Sequence, residues 1–226
     1  MLSSINFNQN LCIICCLLNQ GKNNMLLADI GNSRVHIYDG NQVIHLKHQE
    51  AIEQYANMNL YYITVKHQLK SQLALLTNWI DISEKIKLKN AYSTMGVDRQ
   101  ALCLSFEDGI FISAGTAITV DIVTKGIYQG GFILPGVQSY LNAYADISPA
   151  LKSRLNPNIS IDSLPKTTRD GISYGIIASI KMLIEKNRNS KQLYISGGDA
   201  KLVASFLDNV ILDERLIFWG IKKALT

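Results

Sequence analysis

Several short stretches of this chain carry residues whose types and spacing could do chemistry. Asp29-Ile30-Gly31-Asn32-Ser33 sets a carboxylate just before a glycine turn. Gly31 lets oxygens approach backbone N–H groups, and Asn32 and Ser33 add neutral donors, a combination that suits a phosphate. Asp29 would repel a phosphate directly, so its use there is to hold Mg2+ through water. An ordinary hairpin turn uses the same residue types, since short glycine motifs recur by chance. The segment Ser113-Ala114-Gly115-Thr116-Ala117-Ile118-Thr119-Val120-Asp121 repeats the plan with small residues. Two such turns suggest one cleft gripping a nucleotide from both walls; a Thr chosen for strand propensity is the plainer alternative.

Gly96-Val97-Asp98-Arg99 reads in two ways. Asp98 is favoured in the first turn of a helix by the helix dipole, which is a purely structural reason for it. It is also a carboxylate placed to accept a hydroxyl proton, with Arg99 beside it for an anionic group. Phosphoryl transfer needs such a positioned carboxylate more than a strong base. Gly130-Gly131-Phe132-Ile133-Leu134-Pro135-Gly136 ends a strand, where paired glycines allow close packing or ligand approach. Ser196-Gly197-Gly198-Asp199 follows a strand, and its glycines either let a flat base lie on the backbone or make a plain turn.

The elements that must position these residues repeat. An apolar strand at 26–28 runs into the first turn, then come a strand at 35–38, an Asp39-Gly40-Asn41 turn and a strand at 43–46. An apolar strand at 110–112 runs into the second turn, then come a strand at 118–123, a Lys125-Gly126 turn and a strand at 127–134. Asp29 aligns with Ser113, Gly31 with Gly115 and Asn32 with Thr116. Between the meanders the spacing predicts a helix at 50–59, a strand at 60–65, an amphipathic helix at 69–79 and a helix at 97–107. Beyond them it predicts helices near 138–154 and at 168–187, a strand at 192–196, and helices at 200–207 and 215–225. Two similar α/β halves with facing turns imply a cleft between them, and exposed turns at strand ends are where ligands bind in such folds. The expected division is an N-terminal half at 25–108 and a C-terminal half at 109–226.

Composition is that of an ordinary globular enzyme: 226 residues, 47% hydrophobic, 18% charged, formal charge +4. The positive charge is spread out and no basic block is interleaved with aromatics, which argues against nucleic acid. Cys12, Cys15 and Cys16 crowd the first 24 residues without the further Cys or His that a metal site needs. Cys103 falls within a helical pattern and is expected to be a buried, reduced thiol, which fits the cytoplasm. The apolar stretch 11–18 is too short to span a bilayer and lacks the flanks of a signal peptide. Residues 1–24 are expected to be a disordered extension or a start placed too early.

Taken in order, Asp29 to Ser33, Gly96 to Arg99, Gly115-Thr116-Ala117 with Thr119 and Asp121, Gly130 to Gly136, and Ser196 to Asp199 resemble the motifs of type III pantothenate kinases, over essentially all of 25–226. The resemblance implies α/β architecture with duplicated ribonuclease-H-like halves, as in acetate kinases, sugar kinases, Hsp70 chaperones and actin. It implies a homodimer that uses ATP and Mg2+ to phosphorylate pantothenate, the first step of coenzyme A biosynthesis. By resemblance Asp98 is the catalytic base, and Gly96, Val97, Asp98 and Arg99 line the pantothenate site. Asp29, Ile30, Gly31, Asn32, Ser33, Arg34, Val35 and His36 hold the phosphates and Mg2+, and Thr116 contacts ATP. Thr168 matches a substrate-contacting threonine and Tyr92 an upstream substrate-facing tyrosine. The family usually has Asp where Ser113 stands, and that Asp binds a monovalent cation, K+ or NH4+. A hydroxyl there removes a full charge, so the cation requirement is expected to be weak or absent. A kinase for another small alcohol, or a silent nucleotide-binding regulator, is the alternative on the same fold; retained Asp29 and Asp98 favour an enzyme.

Overall fold

β1 (Leu26–Ile30) is an apolar run broken only by Asp29. It pairs antiparallel with β2 (Val35–Tyr38) and parallel with β4 (Leu60–Thr64). With β3 (Val43–Leu46) and β5 (Trp79–Asp81) the sheet order is β3-β2-β1-β4-β5. The second sheet is built from β6 (Gly109–Ala114), β7 (Ala117–Thr124), β8 (Ile127–Pro135), β9 (Leu193–Ser196) and β10 (Val210–Leu212), in the order β10-β9-β6-β7-β8. Counted from β8, that is the same arrangement: a three-stranded meander, then two strands returning parallel to its first. The duplicated α/β plan expected from the repeated segments, ribonuclease-H-like by the resemblance, is therefore present. The computed structural model describes residues 25–226; residues 1–24, with Cys12, Cys15, Cys16 and the expectations attached to them, lie outside the described residues.

Strand alternation decides which helices cover which face. Ala28, Ile30, Val35 and Ile37 turn outward against α1 (His48–Tyr55) and the segment holding Leu73 and Trp79. Leu27, Tyr38 and Ile63 turn the other way, onto Ala101 of α3 (Val97–Leu104) and Phe218 and Ile221 of α7 (Leu216–Leu225). In the second sheet Ile110, Ile112, Ile118 and Val120 meet α4 (Val137–Ile147), α5 (Thr168–Lys186) and α6 (Ala200–Ala204). Phe111 and Val123 face inward, onto Leu102 and Cys103 of α3 and Leu216 of α7. Thus α3 and α7 lie between the two sheets, and α3 carries the Gly96–Arg99 motif into the middle of the molecule. Each fully buried Leu, Ile or Phe in these clusters contributes about 1.5–3 kcal/mol. Cys103 is buried and unpaired, and burial pushes its thiol pKa up.

The helix expected at 69–79 is a single turn, α2 (Lys70–Leu73), followed by a turn and β5. The apolar spacing had marked the right residues, since Leu73 and Trp79 are both buried. Trp79 is reached by an extended chain, with its indole N–H donating to the Tyr55 carbonyl at 3.0 Å. The three-residue edge strands β5 and β10 carry no alternation long enough to read. α7, allotted by sequence to the second half, packs on β1 and β2 of the first.

Candidate active site

Asp29 stands directly opposite His36 in the β1–β2 pair, on the sheet face that meets α3. Its Oδ1 is buried and has no hydrogen-bond partner among the described residues. Burial, and then the charge of Asp98, push the Asp29 carboxyl up to about 8. Asp98 is also raised, by burial, against the opposing pull of the Arg99 N–H, which donates to its Oδ1 at 2.8 Å, and of the Arg99 guanidinium. Two buried carboxyls, one of them raised further by the charge of the other, form a site whose charge a cation would satisfy. Gly96 caps α3, and a Cβ there would stand 2.5 Å from Asp98 Oδ1. The glycine therefore makes room for the carboxylate, a sharper reason than the turn that sequence suggests.

The first phosphate-type turn is braced from several sides. The Gly31 N–H donates to the Arg34 carbonyl at 3.0 Å, His48 Nε2 lies 2.9 Å from the Gly31 carbonyl, and the Lys66 ammonium donates to the Asn32 carbonyl at 2.6 Å. Asn32, Ser33 and Arg34 are exposed, whereas Ile30 and Val35 send their side chains into the core, so these two can offer only backbone to a ligand. Ser33 Oγ lies 3.3 Å from Thr116 Oγ1 of the second turn. His36 Nδ1 is 2.6 Å from His45 Nδ1, and His45 Nε2 is 3.1 Å from Glu214. Burial, then His45 and Arg34, lower His36 to about 4, so it is neutral at pH 7.

The second turn is closed by its neighbours. The Gly136 N–H donates to the Thr116 carbonyl at 3.0 Å, and the Ser139 hydroxyl donates to the same oxygen at 3.1 Å. A Cβ on Gly136 would overlap the Gly115 and Thr116 carbonyls. The two glycines after β9 divide their work: Gly197, at φ +106°, lies against the Ala114 backbone, while Gly198 opens onto free space. Only Gly198 is therefore placed as a base-stacking glycine would be. Ser113 stands opposite Thr119 and Ser196 in the sheet, and Thr119 Oγ1 is buried without a partner among the described residues.

Arg99 is engaged. Its Nε and Nη2 donate to Asp121 at 3.0 and 2.6 Å, and its Nη1 donates to the Tyr92 hydroxyl at 2.6 Å. Asp121 is therefore turned away from the role of replacing a carboxylate at Ser113. Tyr92 is 45% exposed and helps line a cavity of about 440 Å3 with Ile86, Lys87, Leu88, Ser93 and Gln100. Thr168 is exposed in the first turn of α5, where Thr167 caps the helix by accepting from the Asp170 N–H, and it makes none of these contacts. Lys66, Tyr128 and the Asp121 clamp were missed by sequence. Lys66 could have been found from its place just past β4, at the strand end where ligands gather.

The sequence profile of the type III pantothenate kinase family matches residues 59–189. A type III pantothenate kinase of Campylobacter jejuni is 40% identical over 201 residues, 89% of this chain and 96% of its own length. The chain belongs to the type III pantothenate kinase family. A crystal structure from Campylobacter jejuni, described as that of a candidate Baf family transcriptional activator, superposes with a TM-score of 0.82 at 38% identity, covering 89% of this pantothenate kinase family member and 97% of that chain. A candidate 2-dehydro-3-deoxygalactonokinase from Sinorhizobium meliloti shares only the fold, at 11% identity and a TM-score of 0.53, over 88% and 97% of the two chains. The family member thus has the actin, Hsp70 and sugar kinase architecture, with its paired turns at the facing ends of two like sheets.

Proposed function

We propose that this chain transfers the terminal phosphoryl group of ATP to the hydroxyl of pantothenate, giving 4'-phosphopantothenate, the first step of coenzyme A biosynthesis. One observation carries the reading beyond family membership: Asp98 lies near enough to Asp29 for its charge to raise the Asp29 carboxyl, and the hydroxyls of the two glycine turns lie 3.3 Å apart. The donor set fits a nucleotide with its metal. Asp29 has a buried oxygen without a partner among the described residues, and Asn32, Ser33 and Thr116 offer neutral side-chain donors on the two turns. When bound, magnesium–ATP supplies the phosphoryl group and offsets the carboxylate charge. Asp29 would hold the ion through water; the Asp29–His36 segment and Thr116 would hold the phosphates. Asp98, drawn to the N-terminus of α3, orients the substrate hydroxyl and accepts its proton. Gly96, Val97, Arg99 and Tyr92 line the substrate end, with Thr168 assigned there by resemblance alone.

The same proposal includes a cytoplasmic homodimer with no nucleic-acid or membrane partner. No helix among the described residues is long and apolar enough to cross a membrane, and the free, buried thiol of Cys103 suits a reducing compartment. A coupled assay of the purified chain with ATP, pantothenate and a panel of small alcohols tests the activity, and sedimentation tests the dimer. Pantothenate-dependent ADP release is expected. Turnover with another alcohol alone, or nucleotide binding without turnover, would replace this reading with one of its alternatives.

A further inference from the structure

Asp121 is a fully buried carboxylate that the phosphoryl-transfer scheme above leaves without a task. It lies on β7, in the second sheet, yet its partner is Arg99 on α3, the helix that carries Asp98. The pairing is bidentate, at 3.0 Å from Nε and 2.6 Å from Nη2, and the Tyr128 hydroxyl donates to Oδ1 at 3.2 Å. Gly131 on β8 leaves space for this carboxylate, since a Cβ there would overlap Asp121 Oδ1 and stand 3.0 Å from the Tyr128 oxygen. Burial and the charge of Asp121 raise the Tyr128 phenol to about 12, so it remains a donor. Every group around Asp121 is thus arranged to present it to Arg99 in one orientation.

Arg99 has five N–H donors in a rigid plane. Asp121 takes one on Nε and one on Nη2, and Tyr92 takes one on Nη1, which leaves one on each terminal nitrogen. A carboxylate can bridge such a pair. By accepting from Arg99, the Tyr92 oxygen also leaves its own hydrogen for a further acceptor. Arg99 is 7% exposed and Tyr92 45% exposed, and Tyr92 also lines the cavity, so the Arg99–Tyr92 pair reaches from the buried clamp to the cavity wall. A substrate with a hydroxyl at one end and a carboxylate at the other has partners in Asp98 and in the remaining donors of Arg99 and Tyr92.

We propose that Asp121 is a positioning residue for the acidic end of the substrate: from the second half it aims Arg99, and through Arg99 the Tyr92 hydroxyl, at the substrate carboxylate. The same contact couples the halves, because substrate recognition by α3 depends on a strand of the other sheet. This rests on pantothenate being the substrate.

The test is steady-state kinetics of the full chain, with KM for pantothenate and for ATP measured separately, beside the melting temperature. Asp121→Asn keeps the shape but weakens the clamp, and is expected to raise KM for pantothenate at least tenfold while KM for ATP stays within twofold. Tyr92→Phe, which removes no buried charge, should raise KM for pantothenate severalfold with an unchanged melting temperature. Should Asp121→Asn fail to fold, Tyr128→Phe removes one hydrogen bond from Asp121 and retains the ion pair; a rise of severalfold confined to pantothenate is expected. Parental KM for pantothenate in Tyr128→Phe and Tyr92→Phe, or a lowered melting temperature in Asp121→Asn with parental KM, overturns the proposal and reduces Asp121 to a structural residue. A parent that turns over no pantothenate overturns the functional reading, and this inference with it, before any variant is made.

Discussion

Ser33 Oγ and Thr116 Oγ1 stand 3.3 Å apart although 83 residues separate them in sequence. Each sits on the glycine turn of its own sheet, so the pair marks where the two repeats converge. In the proposed reaction both hydroxyls would serve one phosphoryl group. Ser33→Ala and Thr116→Ala should each raise KM for ATP by roughly tenfold, the scale of a hydrogen bond to a charged group at about 1.5–3 kcal/mol. The double variant should fall short of the product of the two, because the hydroxyls also contact each other. Independent effects in a double-mutant cycle would separate the turns.

Asp98→Asn tests the proton acceptor. The amide keeps the size of the carboxylate and removes its charge, so nucleotide binding should change little. Turnover should fall by about 10²–10⁴-fold, nearer the lower end for a loose transition state. Full turnover in Asp98→Asn would leave Asp98 as a helix-terminal residue only.

His36 makes stability depend on pH. Its pKa falls from 6.5 unfolded to about 4 folded, through burial first and then His45 and Arg34, with Glu214 opposing. Between these values the unfolded chain binds a proton that the folded chain refuses, so stability rises with pH across that window. The contribution is complete above about 6.5 and is lost on acidification towards 4. Denaturant titrations at steps of pH should show this slope in the parent and a flatter one in His36→Gln.

The position of Ser113 bears on ion dependence. A neutral hydroxyl does little to replace the hydration of a monovalent cation. Asp121, the carboxylate on the strand leaving this turn, is committed to Arg99. Turnover should therefore differ little among K+, Na+ and a bulky organic cation at matched ionic strength, with Mg2+ still required. Ser113→Asp should acquire a K+ response; strong K+ activation of the parent would contradict the argument.

Gly220 lies where α7 crosses α3, and a Cβ there would overlap the Ala101 carbonyl. Gly220→Ala should cost about 1–3 kcal/mol or more by overpacking. Because α3 carries Asp98, turnover at 25 °C should drop as well. An unchanged melting temperature would show that the crossing has slack.

Much of the fold could be read from the chain because it is written twice: a glycine turn after β1 and after β6 is followed each time by a meander in the same order of elements. β5 and β10 could not, since three residues at a sheet edge carry too little alternation to distinguish them from a loop. In the candidate site, Asp29, Gly31, Ser33, Asp98 and Thr116 could be singled out because short motifs, each ordinary alone, stand together in one order along the chain. The Asp121 clamp could not, because cross-strand direction and the space left by Gly131 are tertiary facts. Arg99 shows the difference most clearly: sequence puts it beside Asp98, and only the packed structure reveals that a residue from the other sheet already occupies it.

The seat of α7 between the sheets has a consequence for biogenesis. Leu27, Tyr38 and Ile63, near the start of the described chain, are covered by Phe218 and Ile221, near its end. As the protein emerges from the ribosome, the first sheet can pair its strands early, but one of its apolar faces waits uncovered for the whole second sheet to be made. Contacts of such sequence separation close slowly, and exposed apolar surface invites association meanwhile. Loss of the α7 residues would therefore strip the first sheet and unseat α3, rather than trim a terminus, and the nascent chain should engage chaperones until α7 docks.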